Sequence, residues 1–121
     1  LDPESLRAKE RIALLMNNLA YSHSTSDQEI ARGEALVRRA MALSPRRHAS
    51  YIDTLGWIYY RQGELAAAEA EIRRGIRSVA PKKGKTREDF TELYSHLADI
   101  REARGWSEDA TWIRAYFPED P

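Results

Sequence analysis

No cysteine occurs among the 121 residues, which excludes thiol catalysis, disulfides and thiolate metal sites and leaves the redox compartment open. Neither sign of charge is in excess. With 19 Lys+Arg against 19 Asp+Glu there is no global field to draw the chain to nucleic acid or an anionic membrane. No apolar run approaches the roughly 20 residues of a membrane-spanning helix, and no secretory signal is visible, so membrane insertion is not expected. Glycine is scarce and its six copies are isolated, which rules out a phosphate-cradling loop. The three histidines, His23, His48 and His96, stand far apart in no His-x-x-x-His or Glu-x-x-His arrangement. His96 and Asp99 share a helix face three residues apart and read as a surface or groove pair rather than a metal site. Ser95 and His96, adjacent on a helix, point apart and make no nucleophile–base pair. No catalytic activity, metal or cofactor is expected.

What the chain does contain is organised around Tyr51 to Pro81, which reads as two amphipathic helices joined by a tight turn. On the first, Ile52, Leu55, Gly56 and Tyr59 recur at three- and four-residue steps and share one face. Gly63 supplies the turn. On the second, Leu65, Ala68, Ile72, Gly75, Ile76 and Val79 form a stripe that Pro81 ends. Gly56 and Ala68 are small enough to let the two backbones approach. One such hairpin cannot bury its own apolar face, so it implies neighbours of its kind.

Leu55-Gly56, Tyr59, Gly63, Ala68 and Pro81 resemble the tetratricopeptide repeat, a helix–turn–helix of about 34 residues with the pattern W-x-x-L-G-x-x-Y…A-x-x-x-F…P. Ile72 stands where that pattern has an aromatic, and Pro81 comes one residue late. The flanks repeat the pattern less faithfully. Leu19-Ala20, Gly33, Val37, Ala40 and Pro45 precede their counterparts by 36 or 35 residues, the first turn holding one extra residue. Leu97-Ala98, Gly105 and Ala110 follow theirs by 42, with Arg101 replacing Tyr59 and Arg114 replacing Ile72. Terminal repeats of solenoids are expected to be atypical in this way.

The resemblance implies an all-α, right-handed α-solenoid of three hairpins and about six helices, with repeats at roughly 3–45, 46–81 and 86–118 forming a single domain. The chain does not begin with Met and is expected to be a piece of a longer protein. A long first helix runs from Pro3 to about His23, with Leu6, Ile12, Leu15, Met16, Leu19 and Ala20 expected inward. Leu1-Asp2-Pro3 reads either as the tail of a preceding repeat or as an N-cap with proline in the first turn. Asp27 or Ser26 is expected to cap the second helix, Thr86 the fifth and Ser107 the sixth. The second helix turns Ile30, Gly33, Val37, Ala40 and Leu43 inward, and the sixth Ala110, Ile113 and Phe117.

In tetratricopeptide domains the first helices of successive repeats line a concave groove. That places Trp57 and Tyr60 in the groove, with Asp53 and Arg61 beside them. The equivalent positions are Asn17 and Tyr21 in the first repeat and Ser95, Asp99 and Glu102 in the third. Exposed aromatics flanked by charges are typical peptide anchors. The positions with which chaperone-binding members hold a C-terminal carboxylate carry Asn17, Tyr21, Thr54, Glu92 and His96 here. None fits that role, and Glu92 would repel a carboxylate. The basic run Arg73, Arg74, Arg77, Lys82, Lys83, Lys85, Arg87 has no aromatic within it to stack a base, and reads as a solvated helix end rather than a nucleic-acid site. The expected function is capture of a protein or peptide partner in the groove. The alternative is a structural or regulatory segment of a larger enzyme or assembly protein, its groove filled by its own chain.

Overall fold

The computed structural model describes residues 2–44, 49–79 and 87–116, with the side chains of 87–90 excepted. Six helices and no strand occur among them: α1 (Pro3–His23), α2 (Ile30–Leu43), α3 (Ala49–Arg61), α4 (Leu65–Val79), α5 (Arg87–Ala103) and α6 (Ser107–Tyr116). Each helix packs on its chain neighbour, and α1, α3 and α5 also touch in a row. The chain is an all-α helical-repeat fold. None of its described helices is long and apolar enough to cross a membrane.

Local chemistry sets the helix ends. Asp2 caps α1, its carboxylate accepting from the Glu4 N–H at 3.3 Å, while Pro3 occupies a first-turn position that needs no donor. α3 and α5 end in the same device 42 residues apart. Gly63 (φ 82°) and Gly105 (φ 89°) are left-handed, and each glycine N–H bonds the carbonyl three residues back. The next N–H, of Glu64 or Trp106, bonds the carbonyl five back, closing a Schellman motif. The α1–α2 turn is longer and closes instead on Ser24, whose hydroxyl donates to the Tyr21 carbonyl.

That longer turn displaces the expected cap of α2. Glu29 precedes the helix without a side-chain cap bond, and Asp27, too far back to reach the first N–H groups, accepts from Arg61 at 2.8 Å. Ser107 is the first residue of α6 rather than its cap. The caps and core residues expected at Thr86 and Phe117 lie outside the described residues.

Two apolar clusters flank α3. One joins Ala13, Ala20, Val37 and Ala40 to Tyr51, Leu55 and Ile58. The other joins Ala68, Ile72 and Val79 to Leu93, Leu97 and Ile100. α3 is therefore buried on two sides, which is why Ile58 is fully buried although it lies off the face read from the sequence. Tyr59, expected in the core, is half-buried and receives a hydrogen bond from Arg38 through its hydroxyl. α3 and α4 pack closely at Gly56, where a Cβ would lie 2.7 Å from Ile72 Cδ1 and 3.4 Å from the Ala68 carbonyl.

α1 departs most from expectation. It buries Ala13, Asn17 and Ala20, while Ile12, Leu15 and Leu19 are exposed (45%, 67% and 49%). Leu15 and Leu19 occupy the register of Tyr51 and Leu55 in α3 and of Leu93 and Leu97 in α5. Those four are buried in the clusters shared with the preceding hairpin, and among the described residues no hairpin precedes α1.

The third hairpin's polar replacements also find physical reasons. Arg101 donates to Glu69 at 3.2 Å and Asp109 at 2.8 Å, and Glu69 also accepts from Arg73 and Arg104. Arg114, where the central hairpin has Ile72, is on the outer face and binds Asp99 at 2.8 Å and Glu102 at 2.9 Å.

Candidate binding site

Asn17, Asp53 and Ser95 share one register position, and Tyr21, Trp57 and Asp99 another. α1, α3 and α5 touch side by side, which brings Asn17, Tyr21 and Asp53 together. A cavity of about 420 Å³ opens there, lined by Asn17, Asn18 and Tyr21 of α1, Ser50, Asp53 and Thr54 of α3, and Glu92 of α5.

Three of its polar walls, Asn17, Asp53 and Thr54, are buried. Asn17 is 5% exposed, and its side-chain carbonyl oxygen has no hydrogen-bond partner. Asp53 is 6% exposed and accepts from His96 Nδ1 at 2.6 Å; His96 itself is buried. The Thr54 hydroxyl is committed to the Ser50 carbonyl. Behind the acid–imidazole pair, Trp57 stacks on His96 with ring centroids 4.3 Å apart and on Tyr60 at 4.7 Å.

The field here is negative. Burial alone would lower the pKa of His96, but the Asp53 hydrogen bond and the charges of Asp53, Glu92 and Asp99 outweigh it and raise the value above 6.5. Tyr21 is raised too, first by burial and then by Glu92 and Asp53. Asp53, Glu92 and His96 each bring one ligand atom within 4.8 Å of the others, a set that could hold a metal ion. In this structure His96 Nδ1 and Asp53 are engaged with each other.

The expected groove residues separate into two groups. Asn17, Tyr21 and Asp53 meet in the cavity, and Trp57 and Tyr60 join through His96. Ser95, half-buried on α5, does not line the cavity. Arg61 turns away, bracing the α1–α2 turn through the Ser24 carbonyl and Asp27. Asp99 and Glu102 are held by Arg114 of α6. His96 does not pair with Asp99 as its helix spacing suggested; it reaches Asp53 on α3. Glu92 and Thr54, weighed in the sequence only as carboxylate-holding positions, are cavity walls. The four-residue step from Glu92 to His96 was the available signal for this acidic site, and Asp53 joins it only through packing. Of the basic run, Arg73 and Arg74 pair with Glu69 and Glu71, and Lys82, Lys83 and Lys85 lie outside the described residues.

No family model matches the chain. Over 64 residues, 53% of its length, it is 34% identical to a TPR repeat-containing protein of Pseudomonas aeruginosa. The matched part is 11% of that protein. The likeness supports a tetratricopeptide-like chain and, in general terms, a protein-interaction module.

Proposed function

We propose that the three hairpins, at residues 3–45, 46–81 and 86–118, act as one binding module that captures a peptide segment of a protein partner along α1, α3 and α5. The module carries no catalytic step of its own. One observation bears most of this reading: Asn17 and Tyr21 of α1 and Asp53 of α3, far apart in sequence, line one cavity beside the Trp57 stack. Preformed depressions with an aromatic anchor and a few convergent polar groups are where extended segments bind. The matched stretch of a TPR repeat-containing protein points the same way.

The test is a comparison of variants in partner capture. Trp57→Ala should weaken binding by about 2 kcal/mol or more, roughly 30-fold, as loss of an anchor does. Trp112→Ala, on the 65% exposed Trp112 of α6, should leave it unchanged. Equal effects, or loss only with Trp112, would move the binding surface off this face.

A further inference from the structure

We propose that the apolar face of α1 seats a further helical hairpin, carried ahead of α1 by the same polypeptide and docking through its second helix. Ile12, Leu15 and Leu19 recur along one face of α1 and are 45%, 67% and 49% exposed. Contiguous aliphatic side chains at that exposure mark an interaction face.

The two later hairpins give the cover its identity. Leu15 and Leu19 stand in the register of Tyr51 and Leu55 on α3 and of Leu93 and Leu97 on α5. Tyr51 and Leu55 are buried with Val37 and Ala40 of α2, and Leu93 and Leu97 with Ala68, Ile72 and Val79 of α4. α3 also touches α1, and α5 also touches α3, so each of these helices meets both helices of the hairpin before it. The covering helix has a repeated chemistry. α2 carries Gly33, Val37 and Ala40, and α4 carries Ala68, Ile72 and Gly75, a branched residue between two small ones at the same spacing. The small residue makes room for the leucine: a Cβ on Gly75 would lie 2.9 Å from Leu93 Cδ2. Both covers come immediately before the helix they cover, which places the one for α1 ahead of Pro3.

A second copy of the chain fits less well. Stacked end to end it would present α6, where Arg114 stands in the register of Val37 and Ile72 and is paired with Asp99 and Glu102. An apolar contact would then have to take in an ion-paired guanidinium. Set face to face, two copies of α1 would each be covered by one helix, where α3 and α5 each meet two from the hairpin before.

The absence of cysteine from the chain allows a direct test. Leu15→Cys and Leu19→Cys are labelled with a maleimide in the 121-residue chain and in the complete natural polypeptide, and mass spectrometry gives the rate at each site. Rates are expressed relative to Ala70→Cys, an exposed site on α4. In the 121-residue chain both thiols should react within about threefold of that reference, since exposure governs access. In the complete polypeptide they should slow by about tenfold or more, because labelling then waits for local opening. A short photo-activated cross-linker on the Leu15→Cys thiol should join it to a stretch ahead of Pro3 that carries the small–branched–small spacing. Equal rates in the two chains at both positions overturn the inference, as does a cross-link to any other stretch. Slowing that appears in the 121-residue chain as its concentration rises also overturns it, and would assign the face to a second copy.

Discussion

His96 on α5 and Asp53 on α3, 43 residues apart in sequence, meet at 2.6 Å with both side chains buried. The pair ties two hairpins together through a charge-assisted bond at the floor of the candidate site.

Its pH dependence has a definite sign. Burial opposes the charge on His96, yet the Asp53 bond and the fields of Asp53, Glu92 and Asp99 raise its folded pKa above the ordinary 6.5. The pair's contribution is therefore complete below about pH 6.5 and is lost as pH rises through the raised value. Urea midpoints should fall across that range in the parent chain and fall less in His96→Gln. An identical decline in both would mean another group titrates.

Trp57 and Ile58 are neighbours in sequence with different tasks. Ile58 is fully buried, so Ile58→Ala should cost about 2–5 kcal/mol. Trp57 is half-buried, and its truncation loses two stacked contacts worth about 0.5–1.5 kcal/mol each. Denaturant unfolding of both variants checks the order. Equal losses would place Trp57 in the core.

Leu15 and Leu93 occupy one register position in different surroundings. Leu93→Ala, at a 2% exposed residue, should cost about 2–5 kcal/mol. Leu15→Ala, at 67% exposure, should stay within about 0.5 kcal/mol of the parent. A large loss at Leu15 would show that its face is covered.

Gly63 and Gly105 hold left-handed turns with open space around the missing Cβ. Alanine there is opposed by backbone strain alone, about 1–2 kcal/mol at each site. The two turns belong to different hairpins, so the double variant should lose the sum within about 0.5 kcal/mol. A strongly non-additive loss in thermal or urea melts would mean that the hairpins unfold through a shared defect.

By itself the sequence determined the helices and their pairing. Apolar steps of three and four residues, Gly63 and Gly105 past the ends of α3 and α5, and the small residues Gly56 and Ala68 are local signals, legible because each acts within one hairpin. The register that aligned Asn17 with Asp53 and Tyr21 with Trp57 was legible for the same reason. Tertiary structure decided which apolar faces are covered. Leu15 and Leu93 look alike along the chain, and burial depends on whether another hairpin lies opposite. It also decided the partners of charged groups: Arg61 left the groove for Asp27, Arg114 took Asp99 and Glu102, and His96 crossed to Asp53. Long side chains on a helix surface can reach several acceptors, and spacing along one helix does not reveal what the next helix offers. Only the stacking of α1, α3 and α5 made one acidic cavity from residues drawn from all three.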